Sequence, residues 1–411
     1  MSALVMIMFL VAGPGLDVTA VFMMPLIRSF HWTHAEVARI AFATAITGGL
    51  VAPVVGWLID RVGARWVMAA GLAITGAGYW LASYSGAIGS MVASFAVCGV
   101  GAMLSGLLPV MVVAVNWFGR RRGFAGGVVF IALGLGMAVP PPILTWLIAH
   151  YGWRIAIRWV SVPPLLIVLP MVLAVMRTRP QVGGAKTTAQ EVAALPGLDF
   201  WPALCTAAFW LVLAAEVLWN TSFLSVIVHS ITYMIGLGMT PEHAALIYSS
   251  QTLMSAVGAV PLGMMADRFG VRPVLASALA SVVIGVIAFC GFSHSHLAPY
   301  LIPVYILCWG FPAGCTFPLL PVLLSESLGL RRFGSLSGIV RFAAAISGAF
   351  GPVISGHIFD VTGNYVPAFE LAIAGMLLAL LMVVLVRPVA GRDAVPETAT
   401  VLAAGRQATP A

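Results

Sequence analysis

Charge is what this chain has least of. Asp, Glu, Lys and Arg together make up 8% of its 411 residues, against 61% hydrophobic residues. A water-soluble globular domain carries about 25% charged residues, so this scarcity excludes a soluble fold and makes lipid the solvent. Paired cysteine motifs are missing too: Cys98, Cys205, Cys290, Cys308 and Cys315 are scattered through apolar runs without a C-x-x-C. They read as small buried hydrophobes rather than as metal ligands or disulfide partners. The sequence has no P-loop, no H-E-x-x-H and no G-x-S-x-G, which removes nucleotide-driven, metalloprotease and serine-hydrolase chemistry. His34-Ala35-Glu36 matches only the first part of a zinc deaminase signature, with no P-C-x-x-C elsewhere. Neither an enzymatic reaction nor a cofactor is expected, and any transport must be driven by a gradient.

What the chain has in abundance is apolar length. Hydrophobic runs of about 18 residues or more recur from Ser2 to Arg387, each long enough to cross a bilayer as a helix. The first is too long for a signal peptide and lacks a basic start, so it reads as helix 1. Twelve helices are predicted, at about 3–27, 35–58, 66–84, 88–115, 124–149 and 155–176, then 203–235, 242–265, 273–292, 298–325, 334–359 and 366–386. Gly13-Pro14-Gly15 should break the first and Pro140-Pro141-Pro142 the fifth, while Thr33 should cap the second with Glu36 in its first turn. Residues 177–200 change character, gathering Arg177, Arg179, Lys186, Gln190 and Glu191 among small residues. The predicted organisation is an all-α membrane protein: a six-helix half over 1–176, a cytoplasmic linker over 177–200, a second six-helix half over 201–387, and a disordered tail over 388–411.

All but five of the 20 Lys and Arg residues fall in loops on one side or in the tail; the exceptions are Arg28, Arg39, Arg154, Arg158 and Arg341. That asymmetry places both termini in the cytoplasm. It also explains the net charge of +7 without a nucleic-acid partner.

One polar stretch is written twice. Gly56, Asp60, Arg61, Gly63 and Arg65 return 207 residues later as Gly263, Asp267, Arg268, Gly270 and Arg272. Each copy joins two apolar runs, so each reads as a short hinge whose glycines let the chain turn and helix backbones approach. Asp60 and Asp267 are expected to brace the inside loops against arginines of neighbouring loops when that side is shut. A second echo, at an offset of 211, carries Arg120, Arg121, Gly123, Gly127, Pro141 and Gly152 onto Arg331, Arg332, Gly334, Gly338, Pro352 and Gly363. The halves are therefore pseudo-symmetric repeats about an axis along the membrane normal.

At 56–65 the chain resembles the major facilitator superfamily, whose loop between helices 2 and 3 carries a G-x-L-x-D-R-x-G-R type of motif. Trp117 to Gly127, with Arg120, Arg122 and Ala125, is similar to the helix 4–5 motif of monocarboxylate transporters and their bacterial relatives, including oxalate–formate antiporters. Gly338 to Arg341, Gly351-Pro352 to Gly356, and Asp360 to Tyr365 likewise resemble that group's helix 11 and the loop after it. The resemblance implies the major facilitator fold, alternating access, and a small organic anion as cargo. The chain departs from it in helix 8, where Ala256 and Val260 stand at the animal transporters' Asp and Arg, and in helix 11, where Ala344 takes a charged position.

Ionisable groups inside a membrane are costly and invite a functional reading. Arg341 lies about two turns into helix 11 and can hold a carboxylate bidentately. Asp17 and Glu216 are candidates for carrying a proton. Asn220, four residues after Glu216, shares its helix face. Gln251, Tyr305 and His229 are candidate substrate contacts, with Trp309 beside Tyr305 as a cavity liner, and Glu326 is a candidate for locking the inside gate with the two hinges. The resulting expectation is a secondary carrier of a small organic anion, a monocarboxylate by resemblance, coupled to protons or to exchange. It is expected to act as a monomer in the cytoplasmic (inner) membrane. The competing expectation is an exporter of hydrophobic drugs or cations on the same fold.

Overall fold

The structure is a computed structural model and describes residues 1–118, 121–176, 197–293 and 297–387. The predicted tail and all of the predicted linker up to residue 196 lie outside the described residues. Among the described residues twelve long helical runs follow one another, with a short helix at Phe200–Leu204 before the seventh: α1 (2–30), α2 (His34–Val62), α3 (Ala64–Ala82), α4 (Ile88–Trp117), α5 (Arg122–Tyr151) and α6 (Trp153–Val175), then α7 (Ala207–Gly236), α8 (Pro241–Phe269), α9 (Val271–Cys290), α10 (Ala298–Leu328), α11 (Phe333–Thr362) and α12 (Val366–Leu385). Ten of them are, by length and composition alone, apolar enough to cross a membrane.

Proline decides where these helices deform. A proline removes one amide and crowds the carbonyl four residues earlier, and in lipid no water repairs the loss. The chain answers with wider turns instead of breaks. A π turn at Met8–Ala12 precedes Pro14, another spans Pro163–Val168, and a third at Ile306–Gly310 precedes Pro312. The carbonyl of Cys308, four residues before Pro312, is taken up by the Ser281 hydroxyl of α9 at 3.1 Å. Gly13-Pro14-Gly15 therefore does not break helix 1 as expected; α-helix runs unbroken over Gly13–Phe30. In α5 the triple proline does interrupt the helix, at Val139.

The second helix opens on a capping box: the Thr33 hydroxyl accepts from the Glu36 amide at 3.2 Å, and the Thr33 amide donates to Glu36 Oε2 at 2.9 Å. Donation to its carboxylate from the Thr33 amide, and from the Thr33 hydroxyl at 3.1 Å, holds the Glu36 carboxyl below its ordinary range, the amide contributing most. The two hinges are shorter than predicted. The helix runs through Asp60 and Arg61 to Val62, Gly63 turns the chain alone at φ +90°, and α3 begins at Ala64. Gly270, at φ +94°, does the same between α8 and α9. A side chain at either position would be strained, so a one-residue turn requires glycine.

Across the halves α2 lies along α11 and α5 along α8. The approach is backbone to backbone: a Cβ on Gly56 would fall 2.2 Å from the Gly334 carbonyl oxygen, and one on Gly263 2.2 Å from that of Gly123. Both contacts lie at the end of the bundle that carries the hinges. The larger apolar core runs through both halves, with Trp219, Trp309, Tyr305 and Phe289 fully buried in it; a smaller one packs Phe22, Phe95 and Trp153.

Candidate functional site

Each hinge aspartate caps a helix of the other half. Asp60, in the last turn of α2, accepts from the Gly334 amide at 3.1 Å, the Ser335 amide at 2.8 Å and the Ser335 hydroxyl at 2.6 Å, all at the N-terminus of α11. Asp267, in the last turn of α8, accepts from the amides of Gly123 at 2.7 Å and Phe124 at 2.8 Å, at the N-terminus of α5. A carboxylate there satisfies amides that have no partner within the helix and meets the positive end of its dipole. Both hinge aspartates thus bond helix amides, and Asp267 also lies within electrostatic reach of Arg122.

The hinge arginines serve the opposite helix ends. Arg65 donates to the Leu173 carbonyl near the end of α6, and Arg272 donates to the Val384 carbonyl near the end of α12. Arg61 stacks over Trp57 at 4.4 Å and Arg268 over Phe269 at 5.3 Å. Arg122 donates to the Val115 carbonyl at 3.1 Å and lies within electrostatic reach of both Glu326 and Asp267. Where the chain comes back from residues 177–196, the Leu198 amide bonds the Leu328 carbonyl at 3.0 Å and Asp199 pairs with Arg331 at 3.4 Å.

About two turns above this end stands the buried pair that sequence reading named separately. Arg341 Nη1 of α11 lies 3.7 Å from Glu216 Oε1 of α7. Glu216 is almost wholly buried, its Oε2 has no hydrogen-bond partner among the described residues, and the Arg341 side chain is 29% exposed. At 3.7 Å the two attract without a formed hydrogen bond, so the guanidinium still has donors to offer. Both line a narrow cleft whose walls are otherwise apolar, drawn from α4, α10 and α11, with the hydroxyl of Ser337 as its remaining polar group. Ser337 is buried, and its hydroxyl has no hydrogen-bond partner among the described residues. Sequence reading missed it: a serine among small residues carries no pattern, and the one cue was its place a turn before Arg341.

The other candidates are spread out. Asn220, one turn from Glu216, presses its Oδ1 toward Gly348 of α11, where a Cβ would lie 2.5 Å away. His229 bonds the Pro352 carbonyl at 3.0 Å and stacks on Tyr365 at 5.0 Å. It sits thirteen residues beyond Glu216 on α7, roughly 20 Å along the helix axis, so it is not brought to Arg341. Gln251, Tyr305 and Trp309 are buried inside the second half and do not line the cleft. Tyr305 stacks on Phe289 at 4.6 Å and Trp309 on Phe223 at 5.6 Å, an arrangement that fills a core. Asp17 falls on α1, but its side chain lies outside the described residues. Among the described residues no three His, Cys, Asp or Glu side chains gather as metal ligands would.

The twelve helices form two facing sets joined by reciprocal caps at one end, with a charged pair of the second set lining the cleft between them. Residues 5–352 and 217–407 match the Major Facilitator Superfamily, and the chain belongs to that superfamily of multi-pass transporters. Within it the chain resembles monocarboxylate transporters: it is 27% identical over 363 residues to Monocarboxylate transporter 13 of Bos taurus, covering 87% of this chain and 82% of that one. It is 24% identical over 368 residues to the uncharacterized MFS-type transporter YcxA of Bacillus subtilis (strain 168), covering 84% of each. Among solved structures, the fold matches FucP in its outward conformation (TM-score 0.71, 16% identity, 93% of this chain and 97% of that one). It also matches the proton:xylose symporter XylE bound to 6-bromo-6-deoxy-D-glucose (TM-score 0.71, 15% identity, 93% and 94%).

Proposed function

We propose that this protein is a secondary carrier, not an enzyme, that moves a small organic anion, a monocarboxylate, together with a proton. The observation that carries the reading is the loose Arg341–Glu216 pair facing a cleft between the halves. A carboxylate leaving water for this interior needs a permanent opposite charge and hydrogen bonds. Arg341 offers a planar fork that stays protonated through a transport cycle. While Glu216 is ionised it competes for that fork; once it takes a proton, Arg341 is left for the substrate. Anion and proton then cross as a neutral pair, which lowers the electrostatic cost of exposing the site on the other side.

The hinge end is the cytoplasmic gate in this reading, with both termini in the cytoplasm and the chain working as a monomer in the cytoplasmic membrane. The closed gate described above is then the outward-facing arrangement. Resemblance to monocarboxylate transporters supports the cargo class, and the excess of Lys and Arg at the hinge end supports the orientation. Asp17 remains a second candidate for the coupling proton. The test is uptake into proteoliposomes with a panel of labelled carboxylates, with and without a pH gradient. Accumulation of a monocarboxylate driven by an inward proton gradient is expected; accumulation of lipophilic cations alone would establish the exporter instead.

A further inference from the structure

The cleft beneath Glu216 and Arg341 is polar only at the groups already named. Leu108 and Met111 of α4 face it from one half, and Leu320, Leu324 and Val340 from the other. Phe317 of α10 also lines it, stacked on Phe130 of α5 across the two halves with centroids 5.9 Å apart and planes 9° from parallel. Phe223 of α7 meets the same ring edge-on at 5.2 Å. Ser337 stands one turn from Arg341 on the same helix face, its buried hydroxyl without a partner among the described residues. A carboxylate on the Arg341 fork can thus accept a second hydrogen bond from Ser337, and whatever that carboxylate is attached to meets methyl groups or ring faces.

Resting on the anion-carrier reading above, we infer that the cargo is a monocarboxylate with an apolar body, branched aliphatic or aromatic, and no second charge. A dicarboxylate would bring its other anion into an apolar lining that offers, among the described residues, no cation besides Arg341 to pair it. The hydroxyls of a sugar acid would lose water and find no partners beyond Ser337. An apolar body loses nothing on entry and gains with each methylene buried, about fourfold in affinity. Ser337 is a specificity-determining contact in this account, because it is the second donor to the carboxylate.

Competition binding to the purified full-length protein tests this with acetate, butyrate, 4-methylpentanoate and phenylacetate, set against succinate and gluconate. Affinity is expected to rise about fourfold per methylene along the aliphatic series, with phenylacetate among the tightest and with succinate and gluconate failing to compete. Phe317→Ala should flatten that slope, and Ser337→Ala should weaken every monocarboxylate by a similar factor. Monocarboxylates that bind with no dependence on body size, or succinate that binds as well as butyrate, would overturn the inference and leave the anion reading standing. Failure of all six acids to bind would overturn both.

Discussion

Asp60→Asn removes one charge and keeps the shape, at a carboxylate that takes three hydrogen bonds from the first turn of α11. Asparagine offers one acceptor oxygen, and its amide nitrogen would face a helix N–H, donor against donor. With its oxygen at the Oδ2 position it keeps both Ser335 bonds in neutral form and turns the Gly334 bond repulsive, and the attraction to the helix dipole is lost. Water replaces part of this when the gate opens, so the net loss to the closed state is about 2–3 kcal/mol, roughly a 30- to 160-fold shift toward opening. Spin labels at Val62 and Phe269, exposed at the hinge ends of α2 and α8, would report it as a longer distance in pulsed EPR. Asp267→Asn should act alike through α5, and the two shifts should multiply because the two carboxylates cap different helices. The variants should insert normally but turn over slowly. An Asp60→Asn distance distribution identical to that of the unaltered gate would refute the reasoning.

Three further outcomes are predicted. Gly56→Ala should hold the same end open, because its Cβ would meet a backbone oxygen at 2.2 Å that no rotamer change can move; a closed-state distance between the labels would contradict this. Glu216→Gln should still exchange substrate across the membrane but lose accumulation driven by a pH gradient, and retained accumulation would shift the coupling role toward Asp17. His229→Phe removes the ring's bond to the Pro352 carbonyl, which keeps its place in the α11 ladder, and should lower unfolding stability by about 0.5–1.5 kcal/mol, with substrate affinity unchanged; reduced affinity at unchanged thermal stability would restore it as a substrate contact.

The repeat at 56 and 263 made the architecture readable, since a polar hinge written twice between apolar runs admits few folds. The glycines of those hinges were readable as turn and contact residues for the same reason. The partner of each aspartate was not, because it lies on a helix end of the other half and backbone amides leave no mark in a sequence. Arg341 and Glu216 stood out as charges in apolar surroundings, yet nothing in their spacing, 125 residues apart, announced that they meet. Gln251, Tyr305 and Trp309 showed in the sequence only as polar atoms on helices 8 and 10, and stacking of Tyr305 on Phe289 and of Trp309 on Phe223, outside the lining at Arg341, left no mark there. Pro14 misled by a rule taken from water, where a helix breaks; without water to satisfy freed groups, the backbone widened into a π turn.

The central claim rests on Arg341 as the counter-charge of the cargo. Binding of a labelled monocarboxylate to purified Arg341→Ala and Arg341→Lys, each shown to be folded and inserted, tests it most directly. The account predicts a loss of roughly a hundredfold in affinity for alanine, about 3 kcal/mol, with partial recovery for lysine, whose point charge cannot form the bidentate fork. Binding by the alanine variant at unaltered affinity would contradict the account and place the anion site elsewhere.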